Sequence, residues 1–163
     1  MGKFFDELNE THIQFIQQQN MYFTATAPTA GGMVNVSPKG YDDSFCIIGP
    51  KEVAFVDYGG SGNETALHVQ QNGRITLMWC SFGESPLILR IYGRGRVVAN
   101  DSEEFKPWLE RHFPGADPRV LRQGFAIDVA SVQTSCGFGV PFMEFTGDRS
   151  RLKEYVNKKA GLA

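Results

Sequence analysis

The stretch from Val53 to Arg96 constrains the fold most tightly, because it reads as strand, glycine-rich turn, short helix, strand and strand without interruption. Val53-Ala54-Phe55-Val56-Asp57-Tyr58 is short and rich in β-branched and aromatic side chains, the kind that suit a pleated, half-buried surface. The turn follows as Gly59-Gly60-Ser61-Gly62-Asn63-Glu64-Thr65, and Ala66 to Gln71 forms a short helix that Asn72-Gly73 stops. A strand thus hands a flexible loop to a helix start. Backbone N–H groups left without partners there, beside glycines that let a ligand come close, suit a phosphate. The same residues also spell local caps, either a capping box from Ser61 to Glu64 or Asn63 capping alone, and Glu64 puts an anion into the first turn. On this pattern both readings stand.

The rest of the composition narrows the partners. A chain of 163 residues is expected to form one domain with a real core, and two domains would be cramped. A formal charge of −2 with mixed signs creates no field that draws nucleic acid or an anionic membrane. Tyr92, Arg94 and Arg96 with Phe82 resemble a strip for single-stranded nucleic acid, but the acidic balance argues against it. Cys46, Cys80 and Cys136 are odd in number, far apart and without C-x-x-C spacing, so neither a disulfide framework nor a zinc site is indicated and a reducing cytoplasm is expected. The start lacks a long apolar run, and Asp6 stands where a myristoylation signal wants Ser or Thr, so a soluble protein is expected. His12, His68 and His112 share no ligand spacing, and no Ser, His and acid triad is visible.

In chain order, Asp6 to Gln19 suits an amphipathic helix, and Met21 to Ala27 pairs as a hairpin with Met33 to Val36 across Ala30-Gly31-Gly32. That return strand runs into Ser37-Pro38-Lys39-Gly40, which leaves a hydroxyl and an ammonium at a strand end. Ser44–Ile48 and Val53–Tyr58 form a second hairpin. Ile75 to Phe82 is apolar on both faces, as for a strand that fills a barrel and also meets a second layer or subunit, so a dimer is expected. Gly93 and Gly95 suggest a bulge in the strand from Leu87 to Val98. A helix from Asp101 or Ser102 to Pro114, a shorter one from Pro118, a strand from Phe125 to Thr134 and a closing helix capped by Asp148 complete a mainly β fold with added helices.

Four ordered blocks carry a family resemblance: Asn35-Val36-Ser37-Pro38-Lys39-Gly40, Val56 to Thr65, Asn72-Gly73-Arg74-Ile75-Thr76-Leu77-Met78, and Leu89 to Gly95. Together they resemble the pyridoxamine 5'-phosphate oxidase-like family of FMN-binding split barrels, and the loop from Ser135 to Phe142 is similar to one branch of it. The resemblance implies a six-stranded split barrel, a homodimer, and FMN at the dimer interface, held by Asn35, Val36, Ser37, Lys39, Asp57, Ser61, Gly62, Asn63, Glu64, Thr65 and Arg90. Where true pyridoxamine phosphate oxidases carry a Ser-Arg-Lys cluster, this chain has Asn63-Glu64-Thr65, so Lys39 and Ser37 become the expected phosphate partners and pyridoxal phosphate synthesis is not expected. Lys39 also reads as a solvated turn lysine, and Arg90 as a structural partner of Asp57 or Asp128. The expected function is an FMN-dependent oxidoreductase acting on a small molecule. The alternatives are a non-catalytic flavin- or haem-binding module and a reductase using the deazaflavin F420.

Overall fold

The computed structural model describes residues 2–162. One antiparallel sheet contains β1 (Lys3–Phe5), β2 (Met21–Thr26), β3 (Asn35–Gly40), β4 (Phe45–Gly49), β5 (Glu52–Tyr58), β6 (Arg74–Cys80), β7 (Ile88–Ala99) and β8 (Leu121–Ser135). Along the sheet the order is β3-β2-β6-β7-β8-β5-β4, and β1 pairs with the last residues of β8. The sheet curls into a half-barrel, and α1 (Glu10–Gln17), α2 (Glu64–Asn72), α3 (Phe105–His112) and α4 (Arg151–Lys159) are added to it. The mainly β split barrel is therefore the architecture, with eight strands among the described residues where six were expected. The difference includes β1, whose three residues are too few to carry a pattern.

Two apolar clusters hold the sheet. Inside the curl, Val53, Phe55, Ile75, Leu77, Trp79, Leu89, Ile91, Phe125 and Ile127 meet Ile16 of α1. On the outside of β5 and β8, Ala54, Val56, Leu121 and Ala126 meet Phe105, Trp108 and Leu109 of α3. Val53 through Val56 are consequently buried on both faces. β6 turns Ile75, Leu77 and Trp79 inward, while Thr76 and Met78 on its other face are half-buried in the single chain. A bulge lies in β7 between Tyr92 and Gly93, as the glycines suggested.

Local differences have local causes. β3 runs through Pro38, because it is an edge strand and a missing N–H there leaves no ladder bond unmade. Asn9 and His12 form a reciprocal capping box that starts α1 later than Asp6. No helix begins at Pro118; Asp117 instead accepts from the Arg119 backbone and guanidinium and closes a turn. Neither Ser150 nor Glu104 makes a side-chain cap for α4 or α3. Among the described residues no helix is long and apolar enough to cross a membrane.

Tyr22, stacked on Trp79 with centroids 5.2 Å apart, is 4% exposed, and its hydroxyl has no hydrogen-bond partner among the described residues. Burial, with the Asp57 charge second, pushes its phenol far above the ordinary tyrosine range; the nearby Ser44 hydroxyl opposes this least, being committed to the Gly40 and Tyr41 carbonyls at 2.8 Å. A buried hydroxyl left unpaired costs about 1–3 kcal/mol, so Tyr22→Phe is expected to leave stability unchanged or raise it by about 1 kcal/mol. Urea unfolding measures this, and a loss above about 1 kcal/mol would show that the hydroxyl is satisfied.

Candidate functional site

The β5–α2 junction and the end of β3 meet around a cavity of about 320 Å³. Ser37 and Lys39 reach it from β3, Asp57 from β5, and Ser61, Gly62, Asn63, Glu64 and Thr65 from the loop and the first turn of α2. Alternation along β3 explains the first pair, since residues two apart share a face. Asn35, on that same face, does not line the cavity but braces it: its Nδ2 donates to Thr65 Oγ1 at 3.0 Å and to Thr26 Oγ1 at 3.4 Å, and its Oδ1 accepts from Ser37 at 3.1 Å. Thr26 and His68 Nδ1 are 3.0 Å apart, so the His68 ring is a satisfied buried contact between β2 and α2.

Besides Asn35, two more expected site residues do not line the cavity. Val36 points to the opposite face of β3 and is 61% exposed. Arg90 lies on β7, three strands from β3, and its guanidinium donates to Ser135 Oγ at 3.1 Å; it pairs with neither Asp57 nor Asp128. The partner of Asp57 is Lys39, at 2.5 Å, with side chains only 18% and 16% exposed. Lys39 is therefore not a solvated turn lysine, and its ammonium also sits 5.5 Å from the centre of the Phe55 ring.

The caps read at the loop do not form. Asn63 makes no side-chain cap for α2, because its Oδ1 accepts from Gln123 Nε2 at 2.8 Å. The first-turn N–H groups of a nine-residue helix are thus left without a side-chain cap, while Gly73, at φ 71°, closes the other end. Neither Gly59 nor Gly60 takes a positive φ, and a Cβ at either would meet nothing within 4 Å. Neither conformation nor packing within the chain demands glycine there; a group approaching the backbone would.

Arg122 and Gln123, which follow Leu121 at the start of β8, complete the site and were missed in the sequence. The Arg122 guanidinium donates to the carbonyls of Gly60 and of Gly62, the latter at 2.5 Å, and so pins the glycine loop. Gln123 stands opposite Asp57 in the β5–β8 pairing and is buried. The available signal was a polar pair between Leu121 and the apolar run that starts at Phe125. Its meaning depended on strand register, which spacing along the chain does not give. A larger hollow of about 490 Å³ under α4 is lined by Cys46, Tyr58, His112 and Phe113 and has neither glycine loop nor helix start. Burial pushes the Cys46 and Cys80 thiols up, with Arg90 opposing it at Cys80, so neither is an activated nucleophile.

This arrangement can be set beside known proteins. The profile of the family described as pyridoxamine 5'-phosphate oxidase matches residues 8–136. A pyridoxamine 5'-phosphate oxidase family protein of Aspergillus flavus, UstO, is 38% identical over 150 residues, covering 91% of this chain and 59% of its own length. The chain thus spans little more than half of that relative. Among solved structures, a Lactobacillus delbrueckii protein titled as a pyridoxamine 5'-phosphate oxidase candidate superposes with TM-score 0.59 at 16% identity, covering 78% of this chain and 94% of its own. An FAD-binding protein of Mesorhizobium loti gives TM-score 0.52 at 12% identity, with 83% and 98% covered. An FMN-binding protein of Syntrophomonas wolfei gives 0.50 at 11%, with 72% and 77% covered. The solved structures share the fold, the profile covers most of the chain including the loop and its cavity, and the chain belongs to the pyridoxamine 5'-phosphate oxidase family.

Proposed function

We propose that the chain is a flavoprotein that holds FMN with its phosphate in the loop cavity and acts as an oxidoreductase on a small molecule. Family membership, together with an FAD-binding and an FMN-binding protein of the same fold, supports a flavin. One observation carries FMN in particular: the Ser37, Ser61 and Thr65 hydroxyls, the Lys39 ammonium and the uncapped start of α2 line or border a single cavity. The donor set fits a phosphate. The charges fit less simply, since Lys39 is offset by Asp57 and Glu64 adds an anion, which leaves Arg122 behind the loop to restore balance.

Bound FMN would supply hydride or electron transfer, and the chain supplies position and electrostatics. Lys39 opposes the phosphate charge while Asp57 fixes the ammonium in place, and Arg122 keeps the glycine carbonyls turned away so that the loop can approach a ligand. Asn35 sets the Thr65 hydroxyl. Pyridoxal phosphate synthesis does not follow, since a phosphorylated substrate needs its own basic pocket, and the neighbouring groove carries two carboxylates, Glu144 and Asp148.

The functional unit in this reading is a homodimer with the flavin at the interface. The outer face of β2, β6 and β7 offers Phe23, Thr76, Met78 and Tyr92, all half-buried in the single chain, as the contact. Light scattering at micromolar concentration is expected to give twice the chain mass, and the ligand released from purified protein is expected to have the mass of FMN. A monomer would remove the interface; released haem or F420 would remove FMN.

A further inference from the structure

A groove of about 630 Å³ lies between the end of β3 and the segment that leaves β8. Met21, Pro38, Tyr41, Phe82, Met143 and Phe145 make its apolar walls. Lys39 and Tyr41 belong both to this groove and to the loop cavity, so the two hollows share a wall.

Tyr41 is that wall's post. It is the only described residue other than glycine with a positive φ, at φ 69° and ψ 116°, a costly conformation that concentrates at functional sites. Its hydroxyl donates to the Arg149 carbonyl at 2.6 Å, and the Lys153 ammonium sits 4.6 Å from its ring centre. At the other end Met143 donates its N–H to the Phe82 carbonyl at 3.2 Å. These ties hold a segment without helix or strand over the groove and keep Met143 and Phe145, which are 61% and 54% exposed, on its rim.

Shape and charge restrict the occupant. The volume is that of a small-molecule pocket, and three aromatic rings with two thioethers favour a flat ring. Lys39 is already paired with Asp57, so Glu144 and Asp148 outnumber Arg149 and leave the groove net acidic. We propose that this groove binds a flat aromatic small molecule carrying no negative charge, and that it is the substrate chamber beside the flavin. The role as substrate chamber rests on the flavin reading; the binding itself does not.

The probes are 2-naphthol and 2-naphthoate, titrated by fluorescence into the full chain with and without FMN, and FMN is titrated separately into the same proteins. Neutral 2-naphthol is expected to bind at least tenfold more tightly than the anion. Met143→Ser with Phe145→Ser is expected to weaken it at least tenfold, whereas Phe138→Ser, at an 82% exposed position outside the groove, should leave it unchanged. Equal binding of the two probes, or an equal loss with Phe138→Ser, overturns the proposal. So does a double variant that binds 2-naphthol normally but dissociates a dimer, since the segment is then a subunit interface. Binding of 2-naphthol by a protein that takes up no FMN keeps the groove as a site and removes its role as substrate chamber.

Discussion

Lys39→Ala is expected to cost about ten- to a hundredfold in FMN affinity and almost nothing in riboflavin affinity, because it removes a charge-assisted contact worth about 1.5–3 kcal/mol from the phosphate alone. The observed pairing enlarges the effect, since the Asp57 carboxylate, freed of its partner, would then face the same phosphate. Stability should fall too, contrary to what a solvated lysine would give. Removing one member of a mostly buried pair strands the other, and for side chains about a sixth exposed the cost is about 2–3 kcal/mol. Lys39→Ala combined with Asp57→Asn is expected to recover most of that stability without recovering the preference for FMN over riboflavin. Unfolding curves together with paired titrations decide it. Equal losses for the two ligands, or no loss of stability, would mean that the pair is neither a phosphate contact nor structurally important.

The second large effect concerns Gly124. A Cβ there would overlap the six-membered ring of Trp108, so α3 can dock on β8 only because the strand has no side chain at that point. Gly124→Ala is expected to destabilise by about 3 kcal/mol or more, at the upper end of overpacking costs, and to lower Tm by about 6–12 °C in a chain of this size. Trp108→Leu in the same chain should relieve much of the loss, whereas two independent defects would simply add. A Gly124→Ala protein as stable as the parent would mean that α3 does not sit on this strand.

Much of this is legible in the sequence. The stretch from Val53 to Arg96 folds as read, strand to loop to helix to hairpin, because its period-two and helical patterns, its Asn72-Gly73 stop and its glycine bulge are local signals. The loop, Ser37, Lys39, Asp57 and Thr65 line one cavity. What stayed hidden was long-range. Nothing in sequence order says that Gln123 stands opposite Asp57 and takes Asn63 away from its helix, or that Arg122 clasps the glycine carbonyls. Arg90 lies apart from this cavity for the same long-range reason, with β2 and β6 between its strand and β3. Within the single chain the strand buried on both faces is β5, because α3 covers that part of the sheet, a choice that depends on where a distant helix lands.

Calorimetric titration of flavin-free protein with FMN, then with riboflavin, probes the loop cavity most directly, since the two ligands differ only in the phosphate that the cavity is held to bind. The expected result is one FMN per chain, bound at least tenfold more tightly than riboflavin. Equal affinities, or no uptake of either, would contradict the assignment of the cavity to an FMN phosphate.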